Sequence, residues 1–173
     1  MKYRTIWLLI ALLVIIDQAI KIVINSYFLN VRFDIIPSLF EFLPTFNYKY
    51  IYLNHLFNLN IGYWRVIIMN IIGFLIILFF YGFFRKRSNN TTLLDTAFIF
   101  MNGGMISAFI GTIFWGGCLD YIYLKPLFVF DLKDLYIDIG VILLIASSFK
   151  NRKNYDSIKM KDIGNYVKNL FVR

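Results

Sequence analysis

TIWLLIALLVIIDQAIKIVINSYF, residues 5–28, holds only two charged side chains, Asp17 and Lys21. An α-helix rises about 1.5 Å per residue, so about 20 residues cross about 30 Å of hydrocarbon. The run is therefore long and apolar enough to span a membrane. Three further runs of this kind follow at residues 64–84, 93–115 and 131–149. Composition agrees: 60% of residues are apolar, 20% aromatic and 16% charged, against about 25% charged in soluble domains. Mean hydropathy is +0.67. The sequence predicts one all-α polytopic membrane domain over residues 1–173, with four transmembrane helices.

The connections differ in character. Residues 29–63 are rich in aromatic, Asn and β-branched residues and contain Pro37 and Pro44. They predict a small extracytoplasmic element of short strands plus a surface helix around residues 38–42. Residues 85–92 form a short polar link, and residues 116–130 read as a loop between the third and fourth runs. The tail, residues 150–173, is basic and reads as a partly amphipathic surface helix.

A net charge of +8 suits either a nucleic-acid binder or a membrane protein with an asymmetric charge distribution. Placement favours the second. Of the 18 Lys and Arg residues, 12 lie at the amino end, in the 85–92 link and in the tail. Both termini are therefore expected to be cytoplasmic, with no nucleic-acid partner. Asp17, Gln18 and Lys21 interrupt the first run and no small-x-small site follows it, so it reads as a permanent helix rather than a cleaved leader.

One cysteine, Cys118, and one histidine, His55, rule out an intramolecular disulfide and disfavour a His/Cys metal cage. Cys118 reads as a small packing residue near the end of the third helix, and His55 as a turn or surface residue. No nucleotide-binding or GxSxG motif appears, so neither cofactor nor metal is expected.

The carboxylates carry more information. GGCLDYIYLKPLFVFDLKD, residues 116–134, places Asp120 and Asp134 at the mouths of two apolar runs. A carboxylate near hydrocarbon is costly, so two of them beside one gap suggest a task. Two such groups within a few Å share a proton and supply a general acid and a general base together. Other readings fit the same residues. Asp131 and Asp134 also suit the N-cap and first turn of the fourth helix. Asp138, four residues beyond Asp134, would make an i, i+4 pair suited to a proton or ion transporter, with Asp17 and Lys21 as intramembrane partners.

Several blocks resemble lipoprotein signal peptidase, also called signal peptidase II. DQAIK, with Asp17, Gln18 and Lys21, is similar to that family's Asp-Gln-x-x-Lys. LNIGYW, with Asn60 and Gly62, resembles its Asn-x-Gly block. GGCLDYI resembles the block holding the first catalytic Asp, and FDLKDLYIDIG the block holding the second. The resemblance covers residues 5–149 and implies an aspartic endopeptidase of the bacterial cytoplasmic membrane, its active site facing outward. It would cut the signal peptide from a diacylglyceryl-prolipoprotein on the amino side of the lipidated Cys. The catalytic pair would be Asp120 and Asp134. Asp17, Gln18 and Lys21 would brace the site, Gly116 and Gly117 would admit the substrate closely, and Asn60 and Trp64 would contact it. The enzyme would act as a monomer among membrane lipids.

The chain also departs from the family pattern. Residues 108–112 read AFIGT where the family carries Asn-x-x-Asp-Arg, Asp131 replaces an Asn, and the loop between the two catalytic positions is shorter. Polar support would then come from Asp131, Lys125 and Lys133. An inactive relative that binds lipidated peptide is the alternative these departures raise.

Overall fold

The computed structural model describes residues 1–48 and 61–171. Helix α1 (Tyr3–Val23) widens into a π-helical turn at Ile24–Phe28 and leads to strands β1 (Phe33–Ile36) and β2 (Phe40–Asn47). Helices α2 (Tyr63–Arg85) and α3 (Thr92–Phe114) follow, then strands β3 (Cys118–Leu124) and β4 (Phe128–Phe130). Helix α4 (Leu132–Lys150), a short α5 (Arg152–Tyr155) and α6 (Met160–Phe171) complete the chain. Among the described residues, three segments are long and apolar enough to cross a membrane: Tyr3–Phe28, Tyr63–Arg85 and Thr92–Phe114. Helix α4 is not among them; its first two turns carry Lys133, Asp134 and Asp138.

The four strands form one antiparallel sheet in the order β1-β2-β3-β4; β1 and β2 are the short strands expected after the first helix, whereas β3 and β4 correct the otherwise all-α expectation. Residues 116–130 are not a plain loop, because CLDYIYL and FVF make a hairpin across residues 125–127. The expected surface helix around residues 38–42 is absent as well. Ser38 adopts a left-handed conformation at φ 65°, turning the chain between β1 and β2, and Phe40 already begins β2. The pairing register of β2 with β3 shifts between Phe42 and Thr45, on either side of Pro44. Proline has no N–H to give a ladder, so an irregularity is expected there.

Helix α3 is the centre of the bundle, packing on α1, α2 and α4. Half of its apolar window is buried, against about a fifth for α1 and less for α2. Lipid removes most of the hydrophobic drive between helices, so close van der Waals contact must hold them together, and small residues permit it. A Cβ on Gly104 of α3 would lie 2.7 Å from the backbone carbonyl of Lys133, and one on Gly140 of α4 would lie 2.9 Å from the backbone nitrogen of Met101. The two helices therefore meet backbone to backbone. By contrast, Ile68, Ile72 and Leu75 on α2 are exposed, as suits a lipid-facing surface.

At the bundle end away from the sheet, fully buried Asp95 accepts from Tyr81 and Arg85, each at 2.8 Å, tying α3 to α2. Ile6, Ile10, Leu94, Phe98 and Ile99 pack around Tyr81. Helix α6 lays Tyr166 against Phe79 and Phe83 of α2. A smaller cluster of Ile24, Leu119 and Tyr121 seats β3 on the end of α1.

Candidate active site

Asp120 lies in the middle of β3, opposite Thr45 of β2, and is 4% exposed. The first turn of α4 delivers the other acids. Asp131 is the N-cap: its Oδ1 accepts the backbone N–H of Asp134 at 3.4 Å, while Asp134 Oδ2 accepts the backbone N–H of Asp131 at 3.1 Å. This reciprocal capping box satisfies two helix-end donors and fixes the direction of the Asp134 carboxyl. One oxygen from each of Asp120, Asp131 and Asp134 lies within 4.8 Å of the others. The helix-cap reading and the converging-carboxylate reading thus describe the same side chains.

Three carboxylates at this range need a counter-charge, and Lys133 provides it. Its Nζ lies 2.9 Å from Asp120 Oδ1, 2.9 Å from Asp131 Oδ1 and 3.3 Å from Asp134 Oδ2. Helix α1 extends the network. Lys21 Nζ lies 2.9 Å from Asp17 and 2.7 Å from Asp131 Oδ2, with both charged ends of each pair buried. Gln18 donates to Asp17 at 2.9 Å and accepts from the Trp115 indole at 3.2 Å. Asp17, Lys21, Asp131, Lys133 and Asp120 form an unbroken ladder from the first membrane helix to the sheet. Four carboxylates face two ammonium groups, an excess of negative charge that favours a bound proton.

Environment separates the acids. Burial pushes the Asp120 carboxyl above the usual carboxylate range even with the Lys133 ammonium beside it, and the neighbouring Asp131 charge adds to the rise. Burial also opposes ionisation of Asp131, but Lys133 and Lys21 outweigh it and hold its carboxyl below the usual range. Burial pushes the Cys118 thiol up to about 11, so it stays protonated at neutral pH and serves packing.

The remaining candidates fall in different places. Gly116 takes φ +64°, the left-handed turn by which the chain leaves α3 for β3, and Gly117 passes close under the Asn47 carbonyl. Asp138 is exposed and makes no ion pair among the described residues. Lys125 joins Asp34 and Glu41 near the hairpin tip, so it does not support the carboxylate cluster. Trp64 is 73% exposed and packs edge-on against Tyr63. Asn60 and His55 lie outside the described residues. Sequence reasoning missed Asn47, whose amide donates to Asp120 Oδ2 at 3.2 Å, and Trp115. Only the register of β2 on β3 brings Asn47 there, and no local pattern signals it.

The family model described as "Signal peptidase (SPase) II" matches residues 9–150. Two solved structures share the fold. One, a bacterial membrane enzyme determined by the in meso method at 2.3 Å resolution, has a TM-score of 0.63 at 20% identity, covering 91% of this chain and 95% of its own. Another, a bacterial membrane enzyme determined in the same way at 1.9 Å resolution, has a TM-score of 0.65 at 22% identity, covering 84% and 92%. Comparison with curated proteins finds no match. With the family match spanning most of its length, the chain belongs to the signal peptidase II family, membrane aspartic peptidases that process lipoprotein precursors.

Proposed function

We propose that this protein is an intramembrane aspartic endopeptidase that removes the signal peptide from diacylglyceryl-modified prolipoproteins, cutting on the amino side of the lipidated Cys. The observation that carries the reading is the convergence of Asp120 and Asp134 within 4.8 Å at the junction of the sheet and α4. In the proposed reaction, the ionised member of the pair takes a proton from water as the water oxygen attacks the scissile carbonyl. The protonated member gives its proton to the carbonyl oxygen, producing a gem-diol. Collapse of that intermediate breaks the C–N bond, with a proton passed to the leaving amine. The pair then returns to its starting charge.

In this reading α4 is the fourth membrane span, both termini are cytoplasmic and the sheet faces outward, as the distribution of Lys and Arg supports. A monomer is sufficient, because all the proposed groups come from one chain. Asp17, Gln18, Lys21 and Asp131 brace the pair, and Gly116 and Gly117 leave room for the substrate backbone. The lipid-bearing Cys would approach sideways through the bilayer, placing its peptide bond where water is available.

The position of Lys133, whose ammonium bonds both proposed catalytic carboxylates, favours one second reading: an inactive relative that binds lipidated peptide without cutting it. A cleavage assay separates the two. Incubation of a lipidated prolipoprotein with the parent protein, Asp120→Asn, Asp134→Asn and Asp138→Asn is expected to give product with the parent and Asp138→Asn alone. Normal cleavage by Asp120→Asn or Asp134→Asn eliminates the dyad. Binding without cleavage by the parent favours the inactive relative.

A further inference from the structure

We infer that Lys133 is a positioning residue that, together with Asn47, holds Asp120 as the ionised member of the pair and leaves Asp134 to carry the proton. The assignment of roles rests on the reading of the pair as catalytic; the ionisation order stands on the geometry. Both oxygens of Asp120 meet donors, Oδ1 at Lys133 Nζ and Oδ2 at the Asn47 amide. Both donors bond the ionised carboxylate more strongly than the neutral acid, so a proton added to Asp120 would weaken both contacts. Asp134 engages only Oδ2, with the Asp131 backbone and Lys133. Its Oδ1 has no hydrogen bond among the described residues, and its side chain is 41% exposed. Asp134 can therefore take a proton without breaking a contact and present it outward.

The sequence explains why a lysine is needed here. Residues 108–112, AFIGT, offer no cation from α3, whose one charged residue, Asp95, lies at the opposite end of the bundle. Lys133 brings that charge from the first turn of α4 instead. Its surroundings draw on α1, β2, β3 and the start of α4: Asp17 and Lys21 from α1, Asn47 from β2, Cys118 and Tyr121 from β3, and Asp131, Asp134 and Tyr136 around the start of α4. Among these, Lys21 is committed to Asp17 and Asp131. Of the two lysines, only Lys133 reaches Asp120.

Infrared spectroscopy of the carboxyl C=O band tests this directly, whether or not the protein cleaves. The parent, Lys133→Met and Lys133→Arg are titrated with acid, and Asp120→Asn and Asp134→Asn assign the bands. As pH falls in the parent, the Asp134 band is expected before the Asp120 band. In Lys133→Met the Asp120 band is expected at least about one pH unit higher, the lower bound for losing an opposite charge at this range. Lys133→Arg is expected to restore most of the shift, which a packing defect would not do. An unchanged Asp120 midpoint in Lys133→Met, or Asp120 protonating before Asp134 in the parent, overturns the inference. The cleavage arm reads the role: Lys133→Met should move the acid limb of kcat/KM upward by about one pH unit, about tenfold in rate along that limb. An unmoved limb in an active Lys133→Met enzyme rejects the positioning role while leaving the dyad intact. Normal cleavage by Asp120→Asn instead rejects the dyad, and the band positions still judge Lys133.

Discussion

Asp131→Asn isolates the charge that joins the two buried lysines. Asparagine also caps helices well, so the α4 N-terminus is preserved while the carboxylate between Lys21 and Lys133 is lost. Asp131 is fully buried and meets these ammonium groups at 2.7 and 2.9 Å. Breaking a buried ion pair by removing one partner costs about 3 to 5 kcal/mol, which sets the upper bound. Two features reduce it. Neither lysine is orphaned, because Lys21 keeps Asp17 and Lys133 keeps Asp120, each at 2.9 Å. The cluster also sheds one of its four carboxylates and the repulsion that came with it. A net loss of about 2 kcal/mol is expected, and about 3 kcal/mol for Asp131→Ala, which also removes the cap.

Denaturant unfolding in detergent micelles measures both variants, and pH adds a signature. The Asp131 carboxyl is held below its ordinary range, so its contribution is fully present above the unfolded value of about 3.9 and is lost as pH falls through the lower folded value. As pH falls below about 4 the parent should therefore lose stability more steeply than Asp131→Asn. Equal stability of Asp131→Asn and parent at neutral pH, with the same acid slope, refutes the claim that Asp131 holds the two lysines. Equal stability of the Asn and Ala variants refutes the cap.

Three other outcomes follow from the packing. Lys21→Met leaves Asp17 and Asp131 buried without their shared ammonium and should cost about 3 to 5 kcal/mol in the same unfolding assay, with Asp17→Asn/Lys21→Met recovering part of the loss. Gly104→Ala drives a Cβ to within 2.7 Å of the Lys133 carbonyl and 2.6 Å of Ile137, and should cost about 1 to 3 kcal/mol, whereas Gly62→Ala, which meets nothing within 4 Å among the described residues, should cost less. Lys125→Met removes an exposed ion-pair cluster and should leave prolipoprotein cleavage at the parent rate, measured by product formation.

The membrane helices were legible because α1, α2 and α3 are apolar almost all round, a signal that survives without any partner. The hairpin β3-β4 was not, because CLDYIYL is buried on both faces near its start and shows no polar-apolar alternation. Wedged between two apolar runs, it reads as their connection. The turn at Ser38 was mistaken for helix because Pro37 and Ser38 equally suit a helix start, and only tertiary pairing of Phe40 and Phe42 with β3 decides otherwise. Asp120 and Asp134 were singled out by their blocks, and the fold brings them close, whereas the reach of Lys133 was hidden. Adjacent helix positions point in different directions, so Lys133 and Asp134 would not be expected to meet. A long aliphatic stem at the first turn brings the Lys133 ammonium back to its neighbour.

The ladder from Asp17 to Asp120 also bears on biogenesis. Synthesised before α4, α1 carries a charge pair one turn apart, Asp17 with Lys21, and can enter lipid as a neutral unit. The second partner of Lys21, Asp131, emerges only after α2 and α3 have been made. The start of α4 therefore adds a second buried partner to Lys21 that α1 alone lacks. A chain halted before Asp131 should leave α1 inserted but loosely held.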